Sequence, residues 1–473
     1  MSEKKTEGKQ KTEGKQKNGL FIFRRDLRIV DNIGLYSLSE SCENIYTIFI
    51  FTPEQVGNGN KYKSDNSVQF MIESLEELSN EIAKYGGKLY TFYGNNNTVI
   101  ANCINQWDIG RVAFNVDITP YARTRDEKIA KMCEKMKVSV SYGQDYFLHE
   151  PGSIKTGTHA PYQKFTPYYE TAKQIKVEEP MRLRTLPFKS ANAPIDHQIS
   201  LKTAMSSFVG ETNPDILVHG GRTEALKLLS KSTRNITNYE ATHNDLSTKT
   251  SELSASIKFG CISIREVYKV LHSKTGLIRQ LYWRDFYANV MYEFPYVIGH
   301  SLKKKYDKIN WHHNKKWFKK WCDGETGFPI IDAGMRQLNQ TGYMHNRARL
   351  ITASFLVKTL LIDWREGEKY FARMLTDYDV ANNNGNWGWI SGGGADSQMY
   401  NRIFNPWRQT EQYDSKCEYI KKWVQELRDV PVKDLLQWET EHLKYRDIKY
   451  PKPMINYPEQ REKALKMYSD ALY

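Results

Sequence analysis

Several features that define common protein classes are missing from this 473-residue chain. Its six cysteines lie far apart, without a CxxC pair or a Cys/His cluster, which argues against a disulfide framework, a zinc site or an iron–sulfur cluster. No run of 18 apolar residues occurs, so a membrane-spanning helix is not expected. Because no apolar signal segment is present either, we expect an intracellular protein, cytoplasmic or nuclear.

The chain also lacks a GxGxxG motif and a Walker A lysine, so an ordinary NAD or ATP site is not supported. Positive charge and tryptophan are abundant instead. Lys and Arg number 68 against 55 Asp and Glu, which leaves a net charge of +13 and makes nucleic acid a candidate partner. Ten of the eleven tryptophans lie at or after Trp283, in the second half of the chain.

Composition and periodicity divide the chain into four parts. Residues 1–17 repeat the hexamer KTEGKQ and have almost no apolar residue to bury, which predicts a disordered tail. Residues 18–145 alternate short apolar runs with helical stretches, which predicts an α/β Rossmann-like domain with a parallel sheet. Residues 146–215 are rich in Pro, Gly and polar residues and predict a surface linker. Residues 216–473 show helical periodicity and predict an all-α domain.

Short apolar runs mark the strands of the predicted sheet. They are 20–23, 45–51, 88–93, 111–115 and 138–142. Between the second and third runs, the segment 67–85 has its apolar residues at helical spacing, which predicts one of the crossover helices.

Runs of polar residues occur within the apolar helical half. They are 341–349, 363–368, 377–379, 382–389 and 402–406. Buried Arg, Asn and Asp side chains need partners, because an unpaired buried polar group is costly. A polar heterocyclic ligand would satisfy many of them at once. The alternative for any single run is a helical bundle with interhelical ion pairs and core tryptophans.

Taken together, these motifs resemble those of the photolyase/cryptochrome flavoprotein family. The resemblance begins at FRRDLR (23–28), continues through FTPYY (165–169) and is densest over 253–414. It implies the photolyase fold, with an α/β antenna domain followed by an all-α FAD-binding domain. It also implies a monomeric carbon–carbon lyase that repairs cyclobutane pyrimidine dimers in UV-damaged DNA with blue light. A (6-4) photolyase, a cryptochrome-type photoreceptor and a flavin electron carrier are the alternatives.

The resemblance assigns several residues to FAD. Those expected at its diphosphate are Tyr239, Thr250, Ser251, Leu253 and Ser254, at the start of a helix, where free N–H groups favour an anion. Those expected around its ring and ribityl chain are Arg284, Asn346, Arg349, Asp377 and Asp379, with Arg349 paired to Asp377. Asn383 is expected to face flavin N5, where it can accept a hydrogen bond and favour the reduced form. The alternative for Asn383 is a helix cap.

The resemblance places Trp283 and Trp389 as the aromatic walls of a substrate pocket. A lesion inside a duplex must be flipped out to reach a buried cofactor, and stacking on tryptophan repays roughly 1–3 kcal/mol per base. Arg347 and Arg402 are expected to contact the DNA backbone. Core tryptophans and ordinary surface charge are the respective alternatives.

A row of tryptophans is also implied, because an indole is oxidisable and can pass an electron to a photoexcited flavin. The resemblance orders it Trp387, Trp364 and Trp311, from the flavin to the surface. Sequence spacing alone does not determine whether the three indoles line up.

The sequence departs from the family at the expected lesion contact. Gln280 stands where most cyclobutane-dimer photolyases of this type have Glu, and Gln is familiar there from (6-4) enzymes. The two histidines of (6-4) enzymes are replaced by Asn346 and Leu350, neither of which can act as an acid. Cyclobutane dimers, which need only electron transfer and return, are therefore favoured.

The segment 117–123 lacks the Asn-Glu pair of folate-binding relatives and looks more like that of deazaflavin-binding or antenna-free members. A second chromophore, folate or deazaflavin, therefore stays unassigned, and no metal site is expected.

Overall fold

The computed structural model describes residues 15–191, 195–236 and 238–472. Its N-terminal part is built on a five-stranded parallel sheet in the order β3-β2-β1-β4-β5. The strands are β1 Gln16–Phe23, β2 Cys42–Phe51, β3 Leu89–Tyr93, β4 Arg111–Asn115 and β5 Ser139–Gly143. All five predicted strands and the doubly wound topology are thus confirmed.

Alternation along β1 explains why helices cover both faces of the sheet. Leu20 and Ile22 are buried in one apolar cluster, whereas Phe21 and Phe23 are buried in another. Successive side chains of a strand point to opposite faces, so a strand that is apolar throughout needs cover on both. The covering helices are α1 Ile33–Ser41, α2 Pro53–Val56, α3 Asp65–Lys84, α4 Asn96–Trp107 and α5 Pro120–Lys135.

The rest of the described chain is helical. The connection carries α6 Phe165–Ala172 and α7 Leu201–Phe208. The helical domain carries α8 Arg222–Asn235, α9 Tyr239–Thr242, α10 Ser254–Lys258, α11 Ile264–Leu271, α12 Thr275–Glu293, α13 Lys315–Asp323, α14 Pro329–Thr341, α15 Asn346–Lys358, α16 Trp364–Met374, α17 Val380–Ser391, α18 Pro406–Tyr413, α19 Glu418–Trp423, α20 Val432–Leu436, α21 Trp438–Glu441 and α22 Tyr457–Leu472. Short 3₁₀ turns lie at Pro295–Val297, Lys304–Lys308, Gln425–Leu427 and His442–Lys444.

Two sequence-based boundaries need correction. Most of the predicted tail lies outside the described residues, but Gln16 and Lys17 belong to β1, where Gln16 is in register with Cys42. The prediction that 146–215 lies over the surface was wrong in part. Phe165 in α6 and Phe188 are buried, and Phe188 forms a bridge with Ile45 of β2, so the connection packs into the core.

The FRRDLR segment joins the two domains through buried charges. The Arg28 guanidinium contacts the Asp145 carboxylate at 2.6 Å, and Arg265 of α11 contacts Asp145 at 2.7 Å and Asp31 at 2.9 Å. All four side chains are at most 5% exposed. Each charge has a partner of opposite sign, which offsets the desolvation that burial of an ion requires.

None of the helices in the described part of the chain is long and apolar enough to cross a membrane.

Candidate active site

A cavity of about 540 Å³ opens between α10, α12, α15 and α17 of the helical domain. Most of the residues expected at the cofactor and the substrate line it. They are Ser251, Leu253, Ser254, Gln280, Trp283, Arg284, Asn346, Arg349, Asp377, Asp379, Asn383, Trp387 and Trp389. The structure therefore brings the expected diphosphate segment, ring contacts and aromatic walls to one place, although they are up to 138 positions apart in sequence.

Two of the residues expected to contact the FAD diphosphate, Thr250 and Tyr239, do not line the cavity. The Thr250 hydroxyl lies 3.2 Å from the Tyr343 hydroxyl. Tyr239 stacks on His243 with ring centroids 4.9 Å apart. At the wall itself, α10 begins after Leu253 without a side-chain cap, which leaves its first N–H groups available to a ligand.

The predicted pairing of Arg349 with Asp377 is present. The guanidinium donates to both carboxylate oxygens, at 3.1 and 2.9 Å, and its Nε donates to the Met344 carbonyl at 2.8 Å. A two-pronged bond of this kind fixes both side chains in one plane. Burial opposes the charge of Arg349, but Asp377 outweighs it and raises the pKa of the guanidinium.

His345 holds the start of α15, the helix that carries Asn346 and Arg349. Its Nδ1 accepts a hydrogen bond from the Arg347 N–H at 3.1 Å and so caps the helix. Burial, followed by repulsion from Arg349 and Arg347, lowers the pKa of His345 to about 4. The imidazole is therefore neutral at pH 7 and can serve as the acceptor that a cap requires.

Asp379 caps α17, the helix that carries Asn383, Trp387 and Trp389. One carboxylate oxygen accepts from the Asn382 N–H at 3.0 Å, and the other accepts from Arg25 at 2.5 Å. Burial opposes the charge of Asp379, but Arg25 and Arg284 outweigh it and hold the pKa well below its usual range. The alternative that Asn383 serves as the cap is therefore wrong.

Asn383 is oriented by a backbone group. Its amide nitrogen donates to the Glu368 carbonyl on α16 at 3.0 Å, which leaves the amide oxygen as the end without a partner among the described residues. Asn383 also lines the cavity. An oxygen presented there can accept a hydrogen bond from a bound ring N–H.

Trp283 is partly exposed and is backed by another aromatic ring. Its indole stacks on Phe165 with centroids 3.7 Å apart and planes within 8°. The Arg279 guanidinium lies 5.3 Å from the Phe165 ring centre. Gln280 lies one turn before Trp283 on α12, and its exposed side chain has no partner among the described residues.

The three tryptophans of the expected electron path are all buried, but only Trp387 reaches the cavity. Its nearest rings are Phe371, at 5.0 Å, and Trp321, at 6.4 Å. The Arg365 guanidinium lies over the Trp364 indole, 5.0 Å from the ring centre. His312, next to Trp311, forms a bridge with Ile362, two residues before Trp364. Among the described residues, no two of these three indoles are in direct ring contact with each other.

The two arginines expected at DNA lie outside the cavity. Arg402 is exposed, as a phosphate contact would require. Arg347 is partly buried and is held by the Asn244 side-chain oxygen at 3.1 Å, with its guanidinium 4.3 Å from the Tyr413 ring centre. Arg347 must therefore release a partner before it can bind a phosphate.

A second cavity, of about 420 Å³, lies at the carboxyl ends of β1 and β2. This is the edge where parallel α/β sheets usually bind ligands. Asp117, Thr119, Tyr121 and Ala122 of the expected antenna segment line it.

The two cavities share three wall residues, Lys258, Tyr378 and Asp379. Burial, followed by repulsion from Arg25, lowers the pKa of Lys258 to about 7.

Several lining residues were not found from the sequence. They are Lys258, Tyr287, Phe371, Asn382, Asn386, Asp396 and Gln398. The asparagines were visible as part of an Asn-rich run, but no pattern distinguishes which of its side chains face inward. Trp407, which had no assigned role, is a core residue that stacks on Phe328 at 4.9 Å.

Comparison with known proteins assigns the chain to a family. The family model described as the FAD binding domain of DNA photolyase matches residues 277–470, and that described as DNA photolyase matches residues 20–186. A deoxyribodipyrimidine photo-lyase from Halobacterium salinarum is 33% identical over 96% of this chain and 99% of its own length. The chain belongs to the DNA photolyase family. A photo-lyase from Buchnera aphidicola is 34% identical over 96% of the chain and 97% of the relative.

Solved structures of the family superpose over nearly the whole chain. An archaeal photolyase from Sulfolobus tokodaii, solved with two FAD molecules, has a TM-score of 0.87 at 38% identity and covers 96% of this chain and 100% of its own. A class III photolyase from Agrobacterium tumefaciens has a TM-score of 0.89 at 29% identity, covering 98% and 99%. The predicted photolyase fold, with an α/β domain followed by a helical FAD-binding domain, is confirmed.

Proposed function

We propose that this protein is a deoxyribodipyrimidine photo-lyase that uses FAD and blue light to split cyclobutane pyrimidine dimers in UV-damaged DNA. The observation that carries the proposal is the single cavity in which Arg349, Asp377 and Asn383 lie with Trp283 and Trp389. The relatives at 33% and 34% identity are named for the same activity. Every proposed site residue comes from one chain, so a monomer is sufficient.

The donor set of the cavity fits FAD. Ser251, Leu253 and Ser254 offer hydroxyl and backbone N–H groups for a diphosphate. Arg349 and Asp377, fixed by their two-pronged bond, present a cation and an anion to a polar ring. Bound FAD in its reduced form supplies the electron when it absorbs light.

The protein's own task is to hold the lesion against the cavity. Trp283 and Trp389 are partly exposed and line the cavity, so both can stack on bases that have left the duplex. Gln280 projects beside Trp283 and can donate a hydrogen bond to a base carbonyl. Arg402 supports the DNA backbone through its exposed charge.

Cyclobutane dimers are the better substrate because their repair needs no acid. The cavity-lining residues Asn346 and Leu350 cannot transfer a proton to a (6-4) lesion. Oligonucleotides that carry one defined lesion of each kind test this choice under blue light. We expect light-dependent loss of the cyclobutane dimer and none of the (6-4) product; repair of only the (6-4) product would overturn the assignment.

A second chromophore is proposed for the cavity at the sheet edge. Tyr121 and Phe49 line this cavity together with polar side chains, which suits a planar ring ligand with polar edges. The two cations there are already paired with carboxylates, Arg24 with Asp126 and Arg25 with Asp117 and Asp379. The relative solved with two FAD molecules is similar to this chain over nearly its full length. The absorption spectrum of the purified protein before and after denaturation identifies any such chromophore by its released species.

The tryptophans Trp387, Trp364 and Trp311 are proposed to deliver electrons that regenerate reduced FAD. All three are buried, with Trp387 at the cavity wall. The close packing of α16 on α17 supports the first step, because Gly367, one turn after Trp364, lies directly against the Trp387 ring.

A further inference from the structure

The Arg25 guanidinium lies between the two cavities and donates from all three of its nitrogens. Nη1 donates to the Asp117 carboxylate at 3.1 Å, and Nη2 donates to the Asp379 carboxylate at 2.5 Å. Nε donates to the Lys258 carbonyl at 3.3 Å. One side chain from the segment after β1 therefore contacts a loop of the α/β domain, the start of α17 and the end of α10.

The three partners of Arg25 belong to different walls. Asp117 lines the cavity at the sheet edge but not the cavity expected to hold FAD, whereas Asp379 lines both. Lys258 ends α10, the helix whose first residues are expected at the FAD diphosphate. Asp379 caps α17, the helix that carries Asn383. Arg25 thus links the diphosphate end of the expected FAD cavity to its ring end, and both to the α/β domain.

The backbone around Arg25 is held where the side chain can make these contacts. The Leu27 N–H donates to the Phe259 carbonyl at 3.1 Å, and the Arg28 guanidinium donates to the Gly260 carbonyl at 3.1 Å. Gly260 has a φ of +63°, and a Cβ there would lie 2.2 Å from the Arg25 carbonyl oxygen. Because glycine alone permits this approach without strain, the segment after β1 lies directly against the chain that follows α10.

Arg25 also supplies the positive charge that two neighbouring carboxylates share. Asp117 and Asp379 are each 13% exposed, and the guanidinium between them is 17% exposed. Burial opposes the charge of each carboxylate, but Arg25, joined at Asp379 by Arg284, outweighs it and lowers both pKa values. Removal of one partner from a buried ion pair leaves an uncompensated charge. Without Arg25, the two carboxylates would repel each other and Asp379 would lose its fixed orientation at the FAD cavity.

We propose that Arg25 is a positioning residue for the FAD site, which holds the Asp379 carboxylate and the first turn of α17 in place through its bonds to Asp117 and the Lys258 carbonyl. Arg25 does not line the FAD cavity, so it acts through Asp379 and not on the cofactor itself. Because this role concerns how the same cavity holds its cofactor, it rests on the proposed function.

The first experiment compares FAD binding in Arg25→Met, Arg25→Lys and the matched control Arg222→Met. Arg222 is 12% exposed and pairs with Glu266 at 2.7 Å, but it lines neither cavity. We expect Arg25→Met to bind FAD about tenfold more weakly and to broaden the absorption bands of bound oxidised FAD. Arg25→Lys should lose only about threefold, because an ammonium keeps the charge but not the three fixed N–H directions. The control should match the wild type in affinity and spectrum.

Asp117 provides a second experiment, because it binds Arg25 without lining the FAD cavity. Asp117→Asn should weaken FAD binding about threefold, since it weakens one of the bonds that hold Arg25. Asp117→Asn added to Arg25→Met should cause no further loss, because the two residues act as one unit.

Wild-type FAD affinity in Arg25→Met or in Asp117→Asn, or a further loss in the double variant, would overturn the proposal. Circular dichroism shows whether Arg25→Met folds; if it does not, Arg25→Lys and Asp117→Asn decide. The proposed function is tested separately, by dimer repair in the wild type. If the wild type repairs no dimers, the proposed function fails, whereas unchanged FAD binding in the variants defeats the positioning role alone.

Discussion

At the scale of single residues, Gln280 is the position where a conservative change tests the lesion contact. We expect Gln280→Glu to raise the repair yield, because a Glu that becomes protonated under the bound lesion donates a stronger hydrogen bond to its radical anion than an amide does. A gain of about 0.5–1 kcal/mol corresponds to roughly two- to fivefold in rate. The yield per absorbed photon on a dimer-containing oligonucleotide measures it. Gln280→Ala is the control and should lower the yield; equal yields for Gln and Glu would contradict the expectation.

Trp387 is the residue whose replacement should stop photoreduction. It lines the cavity and is 2% exposed, so Trp387→Phe keeps an aromatic ring in place but removes the oxidisable indole. We expect FAD to stay bound while blue light with an external reductant no longer bleaches its oxidised absorption. Trp438→Phe is the control, since Trp438 is equally buried but lines neither cavity. Normal bleaching in Trp387→Phe would exclude Trp387 from the path.

Much of the candidate site could be predicted residue by residue, because its motifs are long and keep the family's order. Phe165 lay within a recognised motif, yet its role depends on a stack with Trp283 that is 118 positions away and leaves no local pattern. The orientation of Asn383 escaped prediction because its partner, the Glu368 carbonyl, is a backbone group that every residue offers. Contacts to backbone groups and across domains are the part that sequence reasoning could not supply.

At the scale of elements, the cap of α15 makes stability depend on pH. The pKa of His345 is lowered from 6.5 to about 4, so its contribution to stability is complete above pH 6.5 and is lost as the pH falls through 4. At about 1.4 kcal/mol per pKa unit the loss is roughly 3 kcal/mol. The titratable groups that act on the imidazole are Arg349, Arg347, Asp245 and His243.

The variant His345→Asn isolates this effect. Asparagine caps helices well and does not titrate, so its unfolding midpoint in urea should change less than that of the wild type between pH 6.5 and 4. Circular dichroism at 222 nm follows the transition. Parallel pH profiles for the two proteins would show that His345 does not titrate in this window.

Helices and strands could be predicted where the spacing of their apolar residues was regular. Strands β1 to β4 were found because parallel strands that are largely buried contain apolar runs. The edge strand β5, SVSYG, is less buried and was recognisable from the alternation of its apolar residues with serines. The packing between elements was not predictable. Gly367 is one example, since a Cβ there would lie 2.2 Å from the Trp387 ring, and nothing in α16 alone reveals that α17 approaches so closely.

At the scale of the whole molecule, the two domains are joined by a buried group of ions. Arg28, Asp31 and Asp145 come from the α/β part, and Arg265 comes from the helical part. Burial opposes the charge of Asp145, but Arg28 and Arg265 outweigh it and lower its pKa. FRRDLR, read first as a family motif, is therefore also part of the physical connection between the α/β and FAD-binding domains.

Removal of one cation from this group should weaken that connection. Arg265→Met leaves two buried carboxylates with too little positive charge, and we expect a loss of about 3–5 kcal/mol. Urea unfolding, followed separately by tryptophan fluorescence of the helical domain and by circular dichroism, should change from one transition into two. Arg184→Met is the control, because Arg184 pairs with Glu40 at the exposed surface, where an ion pair contributes at most about 1 kcal/mol. Equal midpoints for the two variants would show that the buried ions do not hold the domains together.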